Sequence, residues 1–208
     1  WGKWVSSELN LDGMRLDAIK HMKDQFIAQF LDAVRSEKGD DFYAVGEYWN
    51  GDMETLDNYV EAVGHKVNLF DVPLHYNMFQ ASQEGKDYDL QNILKNTLVE
   101  HHCELAVTFV DNHDSQHGSS LESQIEDWFK PYAYSLFFIL KNGYPCLLYG
   151  DYSVLKERNL LIPKSSISCW MQDVNTPTAT RSTILTIRRP LGLCAQVMKN
   201  TLVPAWYS

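Results

Sequence analysis

Three carboxylates stand near the ends of short apolar segments. Asp17 closes the β-favouring part of LDGMRLDAIKH (11–21), Glu47 lies in FYAVGEYW (42–49), and Asp114 ends VTFVDNHD (107–114). Cleavage of a glycosidic bond needs two carboxyl groups in different roles, one protonating the leaving oxygen and the other attacking the sugar or activating water. Three acids at strand tips, separated by helix-sized intervals, could converge on one substrate, so these residues imply sugar-cleaving chemistry. Arg15 lies two residues before Asp17 and shares its strand face. A cation beside a carboxylate favours the ionised form.

The segments that would position these acids alternate. GMRLDA (13–18) reads as a strand leading into a helix over His21–Glu37, with Phe26, Phe30, Ala33 and Val34 at helical spacing and Gly39 as its cap. FYAVGE (42–47) is the next strand, and Met53–Val63 the next helix, stopped at Gly64. VNLFDV (67–72) is a short buried strand ended by Pro73. A helical pattern over Leu90–Leu98 precedes the strand LAVTFV (105–110). The long segment Leu121–Leu140 contains Pro131, where a kink or break is expected, and YPCLLYG (144–150) is the last strand. Five strands with helical connections make a parallel α/β pattern. Acids at strand ends then face the carboxyl edge of the sheet, where barrel active sites lie.

Composition sets the class. The 208 residues are 45% hydrophobic and 12% aromatic, enough to bury the core of one domain or a large part of one. A net charge of −9 argues against nucleic acid as a partner. No apolar run reaches the ~20 residues of a membrane span, so no membrane partner is expected. Cys103, Cys146, Cys169 and Cys194 lack metal-site spacing and read as free thiols. The chain opens at WGKWVSSELN without an initiator Met or a signal-peptide pattern, and its start reads as a cut end.

Charge is unevenly spread. Residues 1–152 hold 25 acidic and 11 basic residues, a net of −14, whereas 153–208 hold 2 acidic and 7 basic, a net of +5. All seven histidines precede position 118. The tail includes the Ser/Thr-rich stretch NTPTATRSTILTIRRP, which has no clean period. The chain therefore divides near Tyr152, into 1–152 and an irregular tail, 153–208.

GMRLDAIKH, GEYW, FVDNHD and GYPCLLYGD resemble, in that order, four blocks of the α-amylase family of glycoside hydrolases. WGKWVSSELNLDG and NLFDVPLHYNMFQAS extend the likeness to the bacterial liquefying-type α-amylases, over nearly all of 1–152. The resemblance implies endo-hydrolysis of α-1,4-glucosidic bonds in starch and related glucans, with retention of configuration. Alternatives are a related α-glucan transglycosylase and a non-catalytic remnant that binds glucan. Asp17 would be the nucleophile, Glu47 the acid/base and Asp114 the third carboxylate supporting the transition state. Arg15, Lys20, His21, Trp49 and His113 would contact substrate or its flanking carboxylates, with Trp49 stacking on a pyranose face. The family also coordinates Ca2+, partly through the backbone carbonyl at the position of His21. A maltooligosaccharide partner, a monomeric complete enzyme and a cytoplasmic or secreted bacterial setting belong to the same expectation.

Taken singly, each residue has a plainer reading. Arg15 and Asp17 could be an ion pair at a strand end, GEYW a strand end with a buried aromatic, and His113 a turn residue. His101 and His102 beside Cys103 read as a solvated polar loop rather than a metal site.

By the same resemblance the chain begins at the fourth of eight barrel strands, giving roughly the second half of a (β/α)8 TIM barrel. Most calcium ligands and the block that binds the cleaved glucose would then lie outside it, and the chain as written would be inactive on starch. After YGDY the family's pattern stops. Shifting the reading frame by one base over permitted codons turns TATRSTILTIRRPLG (178–192) into YGDQKHYFDHPETIG, and the same shift gives family-like text along the whole tail. The tail reads as an out-of-frame translation, from a damaged gene or a sequencing error, following loss of one base near Tyr152–Ser153. Such a peptide was not selected to pack against the fold.

Overall fold

The computed structural model describes residues 1–139 and 143–151. Its centre is a five-stranded parallel sheet: β1 (Gly13–Leu16), β2 (Tyr43–Gly46), β3 (Asn68–Phe70), β4 (Ala106–Phe109) and β5 (Tyr144–Cys146), in sequence order. The helices are α1 (Gly2–Glu8), α2 (Asp24–Lys38), α3 (Met53–Ala62), α4 (Val72–Glu84), α5 (Leu98–His101) and α6 (Lys130–Ile139). The sequential order of parallel strands with intervening helices is the arrangement of an α/β barrel wall, consistent with a partial barrel. Among the described residues no helix is long and apolar enough to cross a membrane.

Register assigns the two faces. Gly13 pairs with Tyr43 and Arg15 with Val45 across β1–β2, while Phe109 pairs with Cys146 across β4–β5. The sheet curls enough for the ring of Tyr43 on β2 to meet Tyr144 on β5, with centroids 6.1 Å apart. The Arg15 guanidinium lies over the Phe70 ring of β3, 6.0 Å from its centroid. Arg15, Tyr43, Phe70 and Tyr144 therefore share the concave face. The alternate residues Ala44, Leu69 and Ala106 pack outward in the core formed with Ile27, Leu31, Leu56, Val60, Leu74 and Met78 of the helices.

All five expected strands are present, but each is shorter than its apolar run. In β1 the reason is local: Ala18 takes a left-handed conformation, φ 49°, and turns the chain into a 3-10 helix over Ile19–His21. That turn delays α2 to Asp24, so the helix expected from His21 begins a turn later. Its buried stripe is Ile27, Leu31 and Val34. Phe26, expected on that stripe, is instead exposed and stacks on the partly buried Phe30.

Three helical expectations change more. The pattern over Leu90–Leu98 gives only a 3-10 turn at Leu90–Asn92, and α5 starts at Leu98. The decisive signal is local capping: Thr97 Oγ1 accepts from the Glu100 backbone N–H, and Glu100 Oε2 reaches back past the cap to accept from the Asn96 N–H at 2.7 Å. Pro131 causes no mid-helix break, because it sits in the first turn of α6, where its missing donor costs nothing. Pro73 does end β3, and it also opens α4, capped by Asp71, whose Oδ1 accepts from the Leu74 N–H. No helix was expected there. The expectation of an out-of-frame tail at 153–208 lies outside the described residues.

Candidate active site

Every strand runs into an acid at its carboxyl end: Asp17 after β1, Glu47 after β2, Asp71 after β3, Asp111 and Asp114 after β4, and Asp151 after β5. In a parallel sheet all of these lie at one edge.

Glu47 is the most constrained of the expected site residues. Its backbone extends the β1–β2 ladder, with its N–H donating to the Leu16 carbonyl at 2.8 Å and its carbonyl accepting from the Ile19 N–H at 3.0 Å. Gly46 permits this closeness, because a Cβ there would collide with the Ile19 side chain. The Glu47 side chain is 8% exposed. Oε2 accepts from the Ala18 N–H at 3.2 Å and from Arg15 Nη2 at 3.0 Å. Oε1 is buried and, among the described residues, has no hydrogen-bond partner.

Arg15 also pairs with Asp17, Nη1 to Oδ1 at 2.9 Å. One planar guanidinium thus carries both carboxylates, each at the oxygen it can reach in a fork geometry. The two acids differ sharply in surroundings, since the Asp17 side chain is 71% exposed. The structure brings Arg15, Asp17 and Glu47 into a single group, and the plain ion pair at the end of β1 is part of it.

Asp114 has, among the described residues, no ion pair with the Arg15 fork. It lies in a turn after β4, where Asn112 Oδ1 accepts from the backbone N–H of Asp114 and of Ser115, both at 2.9 Å. Among the described residues its ion-pair partner is the exposed His113, Nε2 to Oδ2 at 3.2 Å. Lys20 is exposed and donates from Nζ to the Trp49 carbonyl at 3.2 Å. His21 is exposed at the end of the 3-10 turn.

Trp49 differs from the expectation of a stacking platform. It is buried, with its ring against His75, Tyr76 and Phe109, and its Nε1–H donates to the Tyr76 hydroxyl at 2.8 Å. No open face is left for a pyranose. The cause is the unforeseen helix α4, which delivers His75 and Tyr76 against it.

Behind the edge lies a buried polar layer that the sequence reading missed. Asp71 accepts from the N–H groups of Leu74, Leu98 and Val99 at 3.0, 3.1 and 2.8 Å, tying β3 to the starts of α4 and α5. Burial nevertheless pushes its carboxyl up to about 6, against the opposing pull of those donors. His75 Nδ1–H donates to the Val110 carbonyl at 2.6 Å, and Nε2 lies 2.8 Å from Ser123 Oγ. Burial holds His75 below the usual histidine range.

Lys130 places Nζ 2.7 Å from Asp151 Oδ1 and 3.0 Å from Asp111 Oδ2, while Tyr134 donates to Asp151 Oδ2 at 2.7 Å. Burial disfavours the Lys130 cation, but the two aspartates outweigh it and raise its pKa. Asp111 Oδ1 in turn accepts from Ser115 Oγ at 3.0 Å, so this cluster anchors the turn that carries Asp114. The rule that singled out Asp17 and Glu47, an acid where an apolar strand ends, also fits Asp71, Asp111 and Asp151.

The calcium expectation finds one group here, the His21 carbonyl. Calcium takes six to eight oxygens, and among the described residues no cluster of three or more acidic or histidine donors includes His21.

Comparison with known proteins agrees with the fold. Residues 1–160 match the family model described as alpha amylase, catalytic domain. Over 167 residues the chain is 47% identical to the glucan 1,4-alpha-maltohexaosidase of Bacillus sp. (strain 707), covering 80% of this chain and 32% of that protein. It is 44% identical over 167 residues to the alpha-amylase of Geobacillus stearothermophilus, covering 80% and 30%. The solved alpha-amylase of Geobacillus thermoleovorans, complexed with acarbose, superposes with a TM-score of 0.57 at 25% identity, over 72% of this chain and 34% of that one. The chain spans about a third of the length of the curated relatives it matches.

Proposed function

The chain belongs to the α-amylase family, and from that premise we propose that it carries the catalytic edge of a retaining glycoside hydrolase that cuts α-1,4-glucosidic bonds within starch-like glucans. The observation that carries this reading is the Arg15 fork, which holds one exposed and one buried carboxylate at a single point of the sheet edge. Two acids in contrasting environments are what the two roles require.

Asp17, exposed and paired at Oδ1, attacks the anomeric carbon. Its oxygen forms the glycosyl ester as the bond to the leaving oxygen breaks. Glu47 supplies the proton to that oxygen. Its Oε2 is held by Arg15 and the Ala18 N–H, and among the described residues Oε1 has no partner, which leaves Oε1 as the atom to carry the transferable proton. In the second step the same oxygen takes a proton from water, and the water oxygen replaces Asp17 at the sugar. Retaining chemistry sets the two carboxyl groups roughly 5–5.5 Å apart, a spacing that suits two acids flanking one guanidinium. Asp114, on its braced turn, supports the positive charge that develops on the ring. Lys20 and His113 are exposed donors for sugar hydroxyls beside the cleaved bond. Where the complete enzyme binds calcium, His21 contributes its carbonyl and the remaining ligands come from elsewhere.

Residues 1–152 are read as the C-terminal part of the catalytic barrel and 153–208 as a tail translated out of frame. Sequencing the gene across the codons for Tyr152 and Ser153 tests that division; an intact frame overturns it. The 208-residue chain as written is expected not to hydrolyse starch, because binding and positioning contribute ~7–11 kcal/mol to such a reaction and about two thirds of the relatives' length lies beyond the match. The catalytic assignment is tested by a hybrid in which residues 1–152 replace the matching segment of the Geobacillus stearothermophilus α-amylase. Starch hydrolysis by the hybrid, abolished by Asp17→Asn, is expected. A folded hybrid that is inactive, or one that tolerates Asp17→Asn, rules the assignment out.

A further inference from the structure

The amino edge of the sheet, opposite the acids, gathers His65, His102 and Glu104, with one donor atom from each within 4.8 Å of the others. They come from two separate loops. His65 lies between α3 and β3, while His102 and Glu104 lie between α5 and β4. His65 takes a left-handed backbone, φ 57°, directly after Gly64 at φ 66°. A side chain pays for that conformation in steric energy, and the result here is an imidazole turned onto the neighbouring loop.

Each ring is already oriented by an acid. His65 Nε2 lies 3.0 Å from Glu61 Oε1, and His102 Nε2 lies 3.0 Å from Asp57 Oδ1. The His102 side chain is only 16% exposed, unlike the solvated loop residue expected from the sequence, and the two imidazoles meet edge to face with centroids 5.6 Å apart. Cys103 Sγ lies 3.6 Å from Glu104 Oε2 and steadies the carboxylate.

We propose that His65, His102 and Glu104 form a binding site for a zinc-class divalent metal, remote from the catalytic edge. Two imidazoles and one carboxylate, with a fourth tetrahedral position left to water, are a zinc donor set. Calcium, which takes oxygen ligands in larger number, does not suit it. Carboxylates behind the imidazoles match the outer shell that fixes ring orientation in zinc sites. Zinc–ligand bonds of about 2.0–2.2 Å require the donors to close to roughly 3.4 Å from one another, a movement that side-chain rotation of the exposed His65 and Glu104 supplies. The bound ion would cross-link the loops entering β3 and β4.

The test is titration of the chelator-stripped 208-residue chain with zinc chloride by calorimetry, with cobalt(II) absorption as the second readout. One ion per chain in the micromolar range and a tetrahedral cobalt spectrum are expected. His102→Ala and Glu104→Gln should each weaken binding by at least ~10-fold, and Asp57→Asn by about 10-fold through loss of ring orientation. His117→Ala, on a remote exposed loop, should leave it unchanged. Circular dichroism of each variant establishes that it remains folded. Binding no tighter than millimolar overturns the proposal. So do stoichiometric binding that survives both ligand substitutions in folded protein, and a cobalt spectrum dominated by thiolate charge transfer, which would place the ion on cysteines.

Discussion

The two edges of the sheet handle charge in opposite ways. At the carboxyl edge Glu47, Asp71, Asp111 and Asp151 are all at least 93% buried, and each is met by particular donors: a guanidinium, three backbone N–H groups, or a buried lysine. At the amino edge Asp57 lies between His101 and His102, and Glu61 faces His65, with the Asp57 and Glu61 carboxylates 36% and 71% exposed. Exposed pairs contribute little and are easily exchanged. Buried ones cost desolvation that attraction barely offsets, so they are poor devices for stability. What the buried layer provides is position. Asp71 fixes the starts of two helices, and Lys130 with Asp111 fixes the turn that presents Asp114.

The sharpest way to break this contrast is at Glu47. In the hybrid with a complete barrel, Glu47→Gln should lower turnover on starch by about 10²–10⁴-fold, the scale of general acid–base catalysis. Substrate binding, measured separately, should persist. Near-normal turnover would remove Glu47 from the role and leave the Arg15 fork as an ion pair alone.

The next largest effect is expected at Asp71. Asp71→Ala strands three buried N–H groups, each costing ~1–3 kcal/mol, so chemical denaturation should show a loss of ~3 kcal/mol or more. The matched change at the other edge, Asp57→Asn, should cost no more than ~1 kcal/mol in the absence of metal. Equal losses at the two positions would erase the distinction between the edges.

A pH series sharpens it further, because the two buried groups have opposite signs. Burial raises the folded-state pKa of Asp71 from 3.8 to about 6, so the folded chain holds a proton that the unfolded chain has released. Its contribution to stability is greatest below about pH 4 and is lost as pH rises towards 6. The stability of the native chain minus that of Asp71→Asn should fall across that window and then level off. His75 is held below its unfolded value of 6.5, so its burial costs stability as pH falls below that value. The native chain minus His75→Asn should lose ground there. A flat difference for either variant would show that its group does not titrate with folding.

The smallest effect concerns the outer histidine. His101→Ala removes an exposed partner of Asp57 and leaves His102 in place, so the change in stability should stay below ~0.5 kcal/mol. A thermal shift of many degrees would mean that the amino edge is held as firmly as the other.

Alternating apolar runs and helix-period segments, all local in sequence, were enough to give five parallel strands and the edge at which Asp17, Glu47 and Asp114 emerge, while their sequential order followed from the family resemblance. The resemblance to the α-amylases was legible for the same reason, because the motif blocks lie within single strand-end segments. Shared packing was not legible. That Arg15 spans Asp17 and Glu47 depends on the β1–β2 register and on Ile19 fitting against Gly46. That Trp49 is buried depends on α4, a helix whose apolar residues face several sides and so leave a weak period, and whose start is encoded by Asp71 and Pro73. The meeting of His65 with His102 and Glu104 joins two loops nearly forty residues apart. Sequence determined which residue types stand at the ends of the strands, since chain direction and period are local properties. Tertiary structure decided which of them are buried, paired or brought together, since burial and pairing are properties of neighbours that the chain meets only after folding.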